Sequence, residues 1–179
     1  MRKTLPVLFI SFIILLCTAC GENSSVAGKW AYNYEPEETV LKITGNGQAV
    51  YDGTDYECID DGQFLTLTSS GEEAYRFRYI LKGDEMLLYI PTKYTFSGDE
   101  PSDNLIGLWQ TENKKWSFEF TKDGRFSEDG LFSGKFISDK GSSTFTLDYN
   151  EDFEDTICYY SINGDTLTVE YPWTMVRSK

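Results

Sequence analysis

Leu105 to Gly130, LIGLWQTENKKWSFEFTKDGRFSEDG, decides how the chain is read, because a diverged copy of it lies upstream. Gly107-Leu108-Trp109 matches Gly28-Lys29-Trp30. Phe120-Thr121-Lys122-Asp123-Gly124, closing at Asp129-Gly130, matches Ile43-Thr44-Gly45-Asn46-Gly47, closing at Asp52-Gly53. A third anchor follows where Tyr160, Ile162, Gly164 and Asp165 repeat Tyr79, Leu81, Gly83 and Asp84. Self-similarity of this kind marks a duplicated structural unit.

Working outward, each copy is written in strands. Tyr75, Phe77, Tyr79 and Leu81 alternate with polar residues, as do Phe118 with Phe120, Phe145 with Leu147, and Leu167 with Val169 and Tyr171. Period-two patterning gives a strand one buried and one wet face, and no window of helical length with three-to-four spacing competes with it between Ser25 and Lys179. The breaks are Asn46-Gly47, Asp52-Gly53, Asp61-Gly62, Gly83-Asp84, Asp123-Gly124, Asp129-Gly130 and Gly164-Asp165. Residues that accept positive φ at such short intervals join consecutive antiparallel strands by tight hairpins, so the topology is a meander. Counting runs between breaks predicts about eight short strands per copy, enough to curl into a small closed barrel. The fold expected is all-β, with two tandem small antiparallel meander barrels at 25–98 and 105–179 joined by a linker at 99–104. One larger barrel built from both halves is the rival, and the repeated Gly-x-Trp opening favours two units.

Residues 1–19 have the parts of an export signal: Arg2 and Lys3, an apolar run from Leu5 to Leu16, then small residues. That run is too short to span a bilayer as a stable helix. Thr18-Ala19-Cys20 resembles the lipobox of bacterial lipoproteins, with Cys17 standing where an aliphatic residue is usual. The resemblance implies that Cys20 is acylated and becomes the mature N-terminus. Residues 20–24 are then a lipidated tether holding the protein on the extracytoplasmic face of a membrane. With 16 basic and 29 acidic residues the formal charge is −13, and losing Arg2 and Lys3 with the leader takes it to −15. Nucleic acid is a poor partner for such a surface.

A Gly-x-Trp on the first strand, a meander, and a basic residue on the last strand together resemble the lipocalin-like barrels. The mature chain looks most like the short lipocalin-like repeat domains of bacterial surface lipoproteins. In that family the basic side chain packs over the tryptophan at the closed end. Gly107, Trp109 and Arg177 fit this in the second copy; Gly28 and Trp30 fit in the first, where Phe96 replaces the basic residue and Lys93 is the nearby substitute. The resemblance implies non-covalent binding of a small apolar ligand inside a barrel, lined by Phe77, Tyr79, Phe118, Phe120 and Tyr160. Those side chains serve equally to fill short-stranded barrels completely.

The chain contains no histidine, which removes the usual triads, imidazole metal sites and the commonest general base. Asp148, Asn150 and Asp152 have the spacing that opens a calcium loop, but Phe153 replaces its glycine and Tyr159 its bidentate glutamate, so 148–155 reads as a solvated hairpin loop. Asp60-Asp61 and Glu72-Glu73 read the same way. No metal or cofactor is expected. By parity Cys58 and Cys158 point into separate cores as free thiols, against the rival of one bridge between the copies. Trp116 and Trp173 fall outside the Gly-x-Trp pattern; they either form a contact patch for a protein or glycan or pack over a barrel mouth. The function expected is binding and not catalysis.

Overall fold

A computed structural model describes residues 25–98 and 104–178. The expected leader, Cys20 and most of the expected linker fall outside them. The described residues form fourteen β-strands and no helix. In the first copy these are β1 (Gly28–Tyr32), β2 (Leu41–Ile43), β3 (Gln48–Tyr51), β4 (Thr54–Asp60), β5 (Phe64–Ser69), β6 (Glu72–Lys82) and β7 (Glu85–Phe96). The second copy supplies β8 (Gly107–Gln110), β9 (Ser117–Phe120), β10 (Arg125–Glu128), β11 (Phe132–Asp139), β12 (Thr144–Tyr149), β13 (Thr156–Asn163) and β14 (Thr166–Arg177). Each copy thus has seven strands, where about eight were expected from the spacing of breaks.

The hairpins form where residues tolerate a left-handed backbone. Asp52 and Gly53 have φ of 48° and 74°, and their counterparts Asp129 and Gly130 have 55° and 68°. Ser70 and Gly71 make the same kind of turn, with φ of 54° and 83°. That turn was not among the expected breaks, and it moves Glu72-Glu73 out of a loop and into the start of β6.

Every strand pairs antiparallel with its chain neighbour, and β14 returns to pair with β1, closing the sheet. A further ladder crosses the closed sheet, running from Thr95 opposite Thr166 to Glu85 opposite Val176. It divides the sheet into two circuits that share β7 and β14. Self-contained copies would close β1 on β7 and β8 on β14. Here β1 pairs with β14 and β8 pairs with β7, so each copy's last strand completes the circuit of the other. Each circuit reaches eight strands by this exchange.

Burial follows the same division. One core gathers Trp30, Leu41, Leu65, Leu67, Phe77 and Leu88 with Met175, the sole member from the second copy. The other gathers Trp109, Phe118, Phe120, Phe145, Leu147 and Leu167 with Tyr94, among the described residues its one buried member from the first, and Phe96 packs against it. Tyr94 and Met175 hold equivalent places in the repeat, as counting from Gly83 and Gly164 shows. Cys58 and Cys158 are free thiols, buried one in each core, as parity indicated.

The shared ladder is symmetric about its middle. Counted from the same two glycines, Ile90 and Tyr171 are repeat counterparts, and the register sets them directly opposite each other. The flanking pairs are reciprocal: Leu88 faces Trp173, while Thr92, the counterpart of Trp173, faces Val169, the counterpart of Leu88. Reciprocal pairing of equivalent residues is the property of a twofold axis, here between two copies in one chain. Pro91 and Pro172, also counterparts, stand beside that axis. The pairing of β6 with β7 stops at Tyr89, and that of β8 starts at Thr95; on β14 the β13 pairing stops at Glu170 and that of β1 starts at Met175. Both prolines therefore lie where their strand has a ladder partner on one side only, which is where a residue without an N–H is tolerated.

Candidate binding cleft

The Gly-x-Trp signature closes each circuit, with its partners exchanged. Trp30 and Trp109 are fully buried, and their indole N–H groups donate to the carbonyls of Val26 (2.8 Å) and Leu105 (2.7 Å). The Arg177 guanidinium lies 4.1 Å from the ring centre of Trp30, not over Trp109, and donates to the carbonyls of Ala27 and Ser25 at 2.5 Å each. Over Trp109 stands Phe96, its ring centre 5.2 Å away and steeply tilted. The equivalence of Phe96 with Arg177 holds, but each caps the tryptophan of the other copy, because each rides on an exchanged strand. Lys93 is exposed on β7. The glycines make room for these caps: a Cβ on Gly28 would sit 2.0 Å from Arg177 Nη1, and one on Gly107 would sit 2.4 Å from Phe96 Cε2. Their φ values of 142° and 128° also favour glycine.

The five side chains named as possible ligand lining lie in the two cores, Phe77 and Tyr79 in one, and Phe118 and Phe120 in the other with Tyr160 packed against them. Phe77, Phe118 and Phe120 are 1% exposed and Tyr79 is 8% exposed. Phe118 stacks on Phe120 at 5.5 Å, Phe120 meets Phe145 at 5.3 Å, and Tyr160 lies against Phe145 at 5.8 Å. None of the five lines the hollows described below.

A different aromatic site lies between the circuits. Alternation puts Met86, Leu88, Ile90, Thr92 and Tyr94 on one face of β7, and both cores rise from that face. Between them the middle of the shared ladder is left as the floor of a cleft of about 420 Å3, formed by Ile90, Thr92, Tyr171 and Trp173. Tyr32 and Tyr51 wall it on the first-copy side, and Tyr94, Trp116 and Glu128 on the other. The twofold of the ladder passes through this floor, and one pair of wall residues comes from equivalent positions: Tyr51 and Glu128 both end the strand before the Asp-Gly turn. A second hollow of about 340 Å3 shares Glu128 and Tyr171 with the cleft and continues past Tyr149 to Phe132 and Phe153.

Rings cluster around Trp173. Tyr32, Tyr34 and Tyr171 have their centres 5.5, 6.3 and 6.0 Å from it, inclined at 57°, 60° and 55°. Trp116 is 56% and Trp173 39% exposed, so both offer ring surface to a partner. Glu128 is the one charged side chain among the described residues of the lining. The Tyr149 hydroxyl donates to its Oε2 at 2.7 Å and lies 3.2 Å from the Tyr171 hydroxyl. Burial pushes the Glu128 carboxyl above the usual glutamate range; the Tyr149 hydrogen bond opposes this and the like charge of Asp129 adds to it.

A carboxyl with a raised folded pKa holds its proton at pH values where the unfolded chain has lost it. Stability is then lost as pH rises from the ordinary glutamate value through the raised one. Glu128→Gln keeps an acceptor for Tyr149 and removes the titration. It is expected to raise the thermal midpoint at pH 7 and to flatten its dependence between pH 4 and 7, read by circular dichroism; a variant less stable at pH 7 would contradict this.

Of these residues the sequence reading singled out Trp116 and Trp173 alone. Tyr171 was named only as a member of a strand alternation, and Tyr32, Tyr51 and Glu128 carried no signal of their own. A hollow of about 400 Å3 elsewhere, on the outside of β10 to β12, mixes Arg125 and Lys135 with Asp123, Asp148 and Asp155. No protein-family model, no curated protein and no solved structure matches the chain.

Proposed function

We propose that the chain is a lipid-anchored extracytoplasmic binding protein, built of two fused lipocalin-like barrels, that holds its ligand non-covalently in the cleft between them. The leader and Cys20 support the anchoring. The binding reading is carried by one observation: the aromatic cleft is of ligand-site size and open to solvent, while the side chains facing each interior are packed together. This moves the ligand from inside a barrel to the junction of two. A surface interaction module meeting a protein or glycan is the second reading. It is favoured by Leu131, Phe132 and Phe153, which are 76%, 39% and 55% exposed, the last two in the adjoining hollow.

The test is native mass spectrometry of the unacylated mature chain after incubation with an envelope extract. An added mass kept by the natural chain and by Phe120→Leu, but lost from Trp173→Ala, is the expected result. A mass kept by Trp173→Ala and lost from Phe120→Leu would return the ligand to the interior. A bare chain across several extracts would favour a macromolecular partner.

A further inference from the structure

We infer that the cleft takes an organic cation, a quaternary ammonium or protonated amine group. The inference rests on the cleft being the binding site and names the chemistry it selects. Aromatic faces carry negative potential, and a cation within about 6 Å of a ring centre is attracted to them most strongly where water is excluded. Among the described residues the lining joins such faces to one acidic side chain, Glu128, and to no Lys or Arg. Lys114 and Lys115 beside Trp116 are exposed and outside the lining. Neither ion pair among the described residues involves Glu128.

The same ladder shows on its opposite face what this combination binds. Arg78 lies 3.9 Å from the ring centre of Tyr159 and 4.6 Å from that of Phe64, and its Nε donates to Glu170 Oε2 at 2.9 Å. Rings, one carboxylate and a cation form a complete set there. On the cleft face the rings and the carboxylate recur, but no Lys or Arg among the described residues lines it.

Geometry and charge discriminate against other occupants. Of the rings that line the cleft, Tyr32 and Tyr171 are inclined by 57° and 55° to Trp173, which makes angled walls and not the flat platform that a planar ligand stacks on. An anion meets Glu128 and a chain of formal charge −13. A neutral apolar ligand would exclude water from the carboxylate without compensating it.

The probes are tetramethylammonium and choline, against 3,3-dimethylbutan-1-ol, the neutral carbon isostere of choline. They are titrated into the intact unacylated mature chain by calorimetry and tryptophan fluorescence at low salt. The expected result is binding of the cations at least about tenfold tighter than the isostere. Trp173→Ala and Glu128→Gln should each weaken the cation about tenfold or more, with circular dichroism and thermal midpoint confirming that both variants fold. Glu128→Gln should not weaken the isostere, since it removes the charge that a neutral ligand would desolvate. Equal binding of cation and isostere would overturn the cationic assignment while leaving the cleft as the site. Failure of both cations to bind would also overturn it, and a mass lost from Trp173→Ala in the extract experiment would then place a different occupant in the same cleft.

Discussion

Cutting the chain after Pro172 is expected to open the amino-terminal copy and spare most of the carboxy-terminal one. The cut removes Met175 from the first core and Arg177 from Trp30. It also removes the pairs Trp30 with Arg177, Ala31 with Val176 and Tyr32 with Met175 that close β1 on β14. Losing a buried methionine alone costs about 2–5 kcal/mol, and the cut also leaves β1 as an unpaired edge. The second circuit keeps its own contacts, since Leu167 and Val169 lie before the cut and Tyr94 comes from β7. Hydrogen exchange should show amides of β1 to β5 losing protection while those of β9 to β12 keep theirs. Equal loss in both copies, or loss confined to the second, would contradict the exchange of strands.

Trp30→Ala and Trp109→Ala should each cost about 3–5 kcal/mol, because each empties a fully buried indole site. The informative quantity is their coupling to Arg177. In urea unfolding, the double-mutant cycle of Trp30→Ala with Arg177→Gln should give a coupling of about 0.5–2 kcal/mol, the range of a cation over a ring. The cycle of Trp109→Ala with Arg177→Gln should give a value near zero. A lipocalin-like unit that closed on itself would reverse the two results, so the cycles test the connectivity as well as the contact.

Local structure was legible in the sequence because it depends on local rules. The Asp-Gly turns at 52–53 and 129–130, the alternation of Phe145 with Leu147, and the separate burial of Cys58 and Cys158 follow from positive-φ tolerance and period-two parity. Which last strand closes which circuit is a long-range choice. Duplication hides it, since β1 and β8 present the same Gly-x-Trp edge to both β7 and β14. Pro91 and Pro172 hide it further: each resembles a strand end, whereas it lies inside a twelve-residue strand. The cleft was illegible for the same reason. Its floor exists only once Ile90 is set against Tyr171, and its walls only once both cores rise from one face of that ladder. Trp116 and Trp173 were visible as unassigned aromatics, but nothing local brings them to one hollow.

The exchange of last strands also sets an order of events in the making of the molecule. The hydrogen bonds from Arg177 to Ala27 and Ser25 join residues 150 and 152 positions apart. The copy that leaves the ribosome first is therefore the one completed last, and β1 waits unclosed until nearly the whole chain is available. Long-range closure of this kind makes folding slow. That delay fits the export proposed above, since a copy that cannot close early stays threadable for translocation.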